Sequence, residues 1–228
     1  MKLSISMTRR ESLLGWSYLL ISIFVLPFAL VLPNLMLPKP LSETQINLVF
    51  MGLNFLAVAL IFRKFLTCSV RAAADKPWQL LKAAGAGFLL YYLGSAMIVS
   101  LILRISPDFI NVNDATVIAL FDEHPALMTV ATVLLVPITE ETLYRGLLFQ
   151  GFQRKSRVLA YCLSAGIFSA IHVMGYVGQY DMLTLGLMLL QYLPAGIALA
   201  WAYEKADTIV APILIHIIIN LISITALR

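Results

Sequence analysis

Apolar residues run along this chain in seven long blocks separated by short polar stretches. The blocks cover Leu13 to Leu32, Ile46 to Phe62, Ala83 to Leu103, Pro125 to Phe149, Val158 to Val173, Met182 to Ala202 and Ile209 to Leu227. A helix needs about 20 residues to cross a ~30 Å hydrocarbon layer, and most of the blocks approach that length. The pattern predicts an all-α fold, a polytopic transmembrane helix bundle of about seven spans, in one integral membrane domain over residues 1–228. The first block follows Lys2, Arg9 and Arg10 and so looks like a signal peptide. It exceeds the roughly 7–15 apolar residues of a secretory core, and no small-x-small cleavage site follows it, so it reads as a retained first span.

Composition agrees with this division. Of 228 residues, 61% are hydrophobic and only 12% are charged, whereas a soluble domain carries about 25% charged residues. A water-soluble globule is excluded. The formal net charge of +4 reflects loop cations rather than a nucleic-acid partner, and nucleic acid is not expected to bind. Cys68 and Cys162 stand far apart without a CxxC or Cys/His cluster, which leaves them as free thiols.

Loop cations test the placement of the spans, because Lys and Arg collect on alternate sides of a correctly divided chain. Lys2, Arg9 and Arg10, then Arg63, Lys64, Arg71, Lys76 and Lys82, then Arg154, Lys155 and Arg157, then Lys205 fall on one side. Only Lys39, Arg104 and Arg228 fall on the other, and Arg145 lies within a span. A multi-pass protein of a bacterial cell membrane is expected, with a cytoplasmic N-terminus and an outer C-terminus. Two connecting stretches are long enough for structure of their own. Arg71 to Lys82, with Trp78, Leu80 and Leu81, reads as an interfacial segment. Asn113 to Phe121 reads as a short surface helix capped by Asn113 or Asp114. Ala83, Gly87, Gly94 and Ser95 on the third span permit close helix packing.

Ionisable residues inside the apolar blocks carry the functional signal, since a charge at mid-membrane costs at least about 2.5–3.5 kcal/mol on insertion scales. The fourth block holds Glu140, Glu141 and Arg145, the fifth His172, and the seventh His216 and Asn220. Glu141 and Arg145 are i and i+4, one face apart by a single turn, in the favourable order for an ion pair. Phe168 and His172, and His216 and Asn220, share the same spacing and so point the same way. Glu140 lies about 100° round the helix from Glu141, so Glu140 is assigned to a cavity and Glu141 to the pair with Arg145. Counted from the basic loop at Arg154 to Arg157, Glu140 and His172 both lie about 21–22 Å deep at 1.5 Å per residue. His216 and Asn220 lie roughly 14–20 Å from Asp207 on the same scale. Pro137 removes a helical hydrogen bond just before the acids.

A carboxylate and an imidazole in a dry cavity can activate water, and a second imidazole beside a carboxamide offers two donors to an oxyanion. Such a set suits hydrolysis of an amide bond. Glu140, His172 and His216 are also ordinary zinc ligands, so a metal-assisted version stays open beside the cofactor-free one that is expected. The same residues fit a proton-coupled membrane transporter, or a catalytically silent membrane binding or immunity protein. Neither inverted repeats nor paired broken helices favour transport.

The run Glu140-Glu141-x-x-x-Arg145, then Phe168-x-x-x-His172, then His216-x-x-x-Asn220, in that order on successive apolar blocks, resembles the CAAX-protease and bacteriocin-processing family of intramembrane endopeptidases, also called the Abi family. The resemblance covers about residues 125–221. It implies a glutamate-type protease with Glu140 and His172 activating water, His216 and Asn220 forming the oxyanion hole, and Glu141 and Arg145 as a supporting pair. Some family members are described as metalloproteases, so the metal alternative persists. The substrate it implies is a membrane-associated protein or peptide, in contact with membrane lipid. Bacteriocin processing or self-immunity and regulation of peptide signalling rank ahead of prenyl-protein maturation, given a short chain without large extensions. HExxH, GxSG and GxGD motifs of other intramembrane proteases are absent from the sequence. His124, beside Asp122 and Glu123, reads as a surface residue. Gln191 and Pro194 read as helix-shaping, and Tyr91 and Tyr92 as packing or interfacial anchors, while Tyr144 and Phe168 stand close enough in sequence to line the site.

Overall fold

A computed structural model describes residues 3–227 of the chain; Lys2 and Arg228, counted among the loop cations, lie outside the described residues. Among those residues six helices are long and apolar enough to cross a membrane, and a shorter apolar helix follows them. All seven apolar blocks are helical. The polytopic helical bundle expected from the sequence is the fold observed.

The first block bends. Helix α1 (Arg9–Phe24) starts at a capping box in which Glu11 N–H donates to Thr8 Oγ1 at 3.2 Å and Thr8 N–H donates to Glu11 Oε2 at 2.9 Å. Pro27 sits in the first turn of α2 (Leu26–Asn34), so the chain breaks at Val25 and resumes as a second helical piece. Helix α3 (Glu43–Ile61) begins at a second capping box, built from Ser42 and Gln45. Helix α4 (Arg63–Asp75) buries Phe65, Ser69 and Ala73 on one stripe and leaves Arg63, Lys64 and Arg71 exposed, the layout of an amphipathic interfacial helix. The interfacial element therefore lies earlier than the sequence predicts. Pro77, which needs no helical N–H donor at a first turn, starts α5 (Pro77–Ile105), and Trp78, Leu80 and Leu81 belong to that spanning helix.

Helix α6 (Val112–Ala119) occupies the second connecting stretch, and its cap is Asn111 rather than Asn113 or Asp114. The Asn111 side-chain Oδ1 accepts from the backbone N–H groups of both of those residues, at 3.0 and 3.2 Å. The fourth block lies in Pro125–Gln153, one continuous helix of mixed winding that runs four residues past the predicted end at Phe149. It runs as α7 (Pro125–Val130), a π stretch at Ala131–Leu135, α8 (Val136–Glu141), a second π stretch at Thr142–Phe149, and α9 (Gln150–Gln153). Helices α10 (Arg157–Met174), α11 (Met182–Ala206) and α12 (Val210–Leu227) complete the bundle.

Every residue of the second π stretch is buried, and the main core forms round it from Phe65, Phe149, Leu199 and Tyr203 with their neighbours. The packing there is close. A Cβ at Gly196 would fall 2.7 Å from Ala165 Cα, and one at Gly87 would fall 2.8 Å from the Ala202 Cβ. Glycine is thus what lets α10 approach α11 and α5 approach α11. Outward faces carry large apolar side chains such as Leu20, Leu60 and Met97, as expected of a surface bathed in lipid rather than water. Both cysteines are free and exposed.

Candidate active site

Local backbone geometry fixes the acids first. A π turn pairs each N–H with the carbonyl five residues back, and Val136 N–H accordingly reaches Ala131 O. Thr132 O has then lost its α-helical donor, and the residue five positions on is Pro137, which has no N–H. Asn220, from α12, fills that gap: its Nδ2 donates to Thr132 O at 2.8 Å. The carboxamide thereby ties α12 to the turn that precedes the two glutamates. In the second π stretch Gln150 N–H likewise reaches Arg145 O, and Ser164 Oγ donates to Tyr144 O at 3.1 Å.

Glu140 and Glu141 diverge as their angular separation requires. Glu141 is fully buried, and its Oε1 accepts from Arg145 Nη1 at 2.8 Å. Arg145 is equally buried; its Nη2 donates to Gly196 O at 3.3 Å, and its guanidinium lies 4.4 Å from the Phe168 ring centroid. Two opposite charges, two carbonyl contacts and an aromatic face make the burial of this pair tolerable. Glu140 instead lines a cavity of about 420 Å³, together with His172, His216, Asn220 and Phe168. Its Oε2 is buried and has no hydrogen-bond partner among the described residues.

The two histidines are each committed through Nδ1. His172 Nδ1 lies 2.8 Å from Phe168 O; a carbonyl can only accept, so Nδ1 carries the proton and a neutral ring presents a bare Nε2. His216 Nδ1 lies 2.8 Å from Glu141 Oε1, which sets the same tautomer against an ionised carboxylate. His216 Nε2 then lies 3.9 Å from Glu140 Oε2. Glu141 is therefore shared between Arg145 and His216, a contact between α8 and α12 that helical spacing alone does not reveal.

Further residues line the cavity that the sequence reading leaves aside. Tyr91 and Gln191 do so rather than acting only as packing or helix-shaping groups, and Asp114 of α6 does so too. Tyr192 OH donates to Asp114 Oδ1 at 2.7 Å, and its ring stacks on His172 at 4.4 Å between centroids. Burial pushes the Asp114 carboxyl up from its usual range, opposed by the Tyr192 hydroxyl bond and the nearby His172. The available signal in the sequence was Asp114 itself, an acid in a mostly apolar stretch. Tyr144 packs edge-on behind Phe168 at 5.7 Å, and His124 stays near the surface, 3.5 Å from Glu123 Oε1.

Among the described residues no group of three or more His, Cys, Asp or Glu side chains comes together as a metal-ligand set. Glu140, His172 and His216 share the cavity without forming such a set. No curated protein and no solved structure matches the chain significantly. Residues 122–222 match a family model described as type II CAAX prenyl endopeptidase Rce1-like. The segment that carries Glu140, Glu141, Arg145, His172, His216 and Asn220 thus matches the same CAAX-protease family that the three motifs resemble, and the match supports, in general terms, an intramembrane endopeptidase.

Proposed function

We propose that this protein hydrolyses a peptide bond in a membrane-associated protein or peptide, with water activated by Glu140 and His172. The observation that carries the reading is the single cavity of about 420 Å³ into which three helices bring Glu140, His172, His216 and Asn220. In this scheme the Glu140 carboxylate takes a proton from water while His172 Nε2, its lone pair free, accepts the other hydrogen and aims the oxygen. Attack on the peptide carbonyl places negative charge on its oxygen. Asn220 spends one amide N–H on Thr132 O and keeps the second for that oxyanion.

His216 contributes differently. With its Nδ1 proton committed to Glu141, it donates to the oxyanion only by taking a second proton on Nε2. Glu140 Oε2, 3.9 Å away, is the acid that receives a proton from water and stands beside that nitrogen. That proton passes from Glu140 to His216 Nε2, with Glu141 as the counter-charge, and returns through Glu140 to the leaving amine as the oxyanion collapses. The description of the matched family favours a CAAX-type substrate over bacteriocin processing or self-immunity, which reverses the order drawn from sequence alone. The alternating loop cations support a cytoplasmic N-terminus in the cell membrane.

The test compares peptide N-termini in native membranes from cells carrying wild type or Glu140→Gln at equal expression. New termini confined to wild type support the reading and identify a candidate substrate. Identical profiles overturn it in favour of a membrane binding protein.

A further inference from the structure

The reaction proposed above asks His172 to hold one ring nitrogen toward the cavity, and the structure confines that ring from two sides. Phe168 lies 4.6 Å away and Tyr192 4.4 Å away between centroids, the latter at an interplanar angle of 29°. The ring stands in a slot whose Phe168 wall also accepts its Nδ1–H. Tyr192 is itself tethered: its hydroxyl donates to Asp114 Oδ1 at 2.7 Å and accepts from Asn113 Nδ2 at 2.9 Å. Asn111 Nδ2, at the cap of α6, donates to Gln191 Oε1 at 3.1 Å on the same helix as Tyr192. Helix α6 is thus bonded to α11 at the side chain that closes the slot. It lies before residues 122–222, outside the segment that matches the family.

Resting on the assignment of His172 as the water-orienting base, we propose that Tyr192 and Asp114 are positioning residues for His172. Docking of α6 holds the Tyr192 ring against the imidazole and keeps it in the Nδ1–H tautomer with Nε2 facing the cavity. Neither residue touches the reacting atoms. A carboxylate facing the cavity next to an apolar layer is costly to keep, and this one serves as the 2.7 Å acceptor of the Tyr192 hydroxyl.

The chain contains three histidines, so nitrogen-15 histidine spectra of the full protein in nanodiscs are simple, and His172→Gln assigns the His172 signals. Wild type is expected to give a single Nδ1–H tautomer for His172. Asp114→Ala and Tyr192→Phe are expected to average His172 between tautomers while the His124 and His216 signals hold, which reports an intact fold. Asp114→Asn, which still accepts from Tyr192 OH, is expected to restore the single tautomer. His172 signals unchanged in both Asp114→Ala and Tyr192→Phe, or loosening in Asp114→Asn equal to that in Asp114→Ala, would overturn the proposal.

Cleavage rates in native membranes are expected to follow the same order. The two disruptive variants should lose roughly tenfold to a hundredfold in kcat, as small misplacements of a catalytic group do, with KM nearly unchanged. If wild type cleaves nothing, the peptidase reading fails, while the spectra still decide whether the slot orders the ring.

Discussion

His216 Nδ1 and Arg145 Nη1 each stand 2.8 Å from the same oxygen, Glu141 Oε1. One buried carboxylate therefore neutralises a guanidinium on its own helix and orients an imidazole on another. Its role is structural and chemical at once, unlike that of Glu140 one residue earlier.

This difference separates the two acids by experiment. Glu141→Gln leaves Arg145 buried without its counter-charge, and breaking a buried pair costs about 3–5 kcal/mol. Thermal unfolding in detergent is expected to show that loss together with lost activity. Glu140→Gln is expected to lose activity while melting close to wild type. Equal melting of the two variants would contradict the division of labour.

Asn220→Ala removes the donor that serves Thr132 O, the carbonyl stranded between a π turn and Pro137. A buried acceptor left unpartnered costs about 1–3 kcal/mol. A fall in Tm beside the fall in kcat is the expected result. A kcat loss with unchanged Tm would mean that the carboxamide serves only the reaction.

Two glycines of α11 give opposite signs. Gly196→Ala drives a Cβ to within 2.8 Å of Ala165 Cβ, and overpacking of this kind costs about 1–3 kcal/mol. A Cβ at Gly186 meets nothing within 4 Å, so Gly186→Ala is expected to stabilise the helix by about 0.5–1 kcal/mol. Comparative melting of both variants checks the contact between α10 and α11.

Asp181 caps α11, accepting from Leu183 N–H, Thr184 N–H and the Thr184 hydroxyl. The hydroxyl bond is the largest of the influences that hold its carboxyl below the usual 3.8. A lowered folded-state pKa means that the stabilisation is complete above the unfolded value and is lost as pH falls through the folded one. The Tm difference between wild type and Asp181→Ala is therefore expected to be full at neutral pH and to close below about pH 3.8. A difference that persists in strong acid would show that the neutral side chain caps equally well.

What the sequence makes legible follows from how local the signal is. Hydropathy is read residue by residue, so all seven helices were visible, as was the Glu141 and Arg145 pair, which needs only one turn of helix. The contact of Glu141 with His216 was not visible, because it depends on the relative rotation of α8 and α12. Asn220 offered a carboxamide in the right block, but its Thr132 partner exists only because the winding departs from 3.6 residues per turn. Asp114 was placed at a surface because short polar stretches between spans usually are surface, whereas tertiary bonds to Tyr192 turn it inward. The interfacial helix was misplaced by about eight residues, because Pro77 was not read as the start of the next span.

The six residues of α8 lie between two stretches of wider winding. Each π stretch holds more residues per turn than the α geometry around it, and dropping one residue from a helix turns everything beyond it by about 100°. That is also the angle between Glu140 and Glu141. Rewinding the first stretch to ordinary helix at unchanged length would swing Glu140 to the bearing that Glu141 now holds, and would carry Glu141 and Arg145 together away from His216. Which of two adjacent and chemically identical acids meets water is thus decided by the handling of a single surplus residue upstream. A one-residue deletion between Ala131 and Leu135 that restores ordinary winding keeps both acids on their present bearings, whereas rewinding at full length reassigns them.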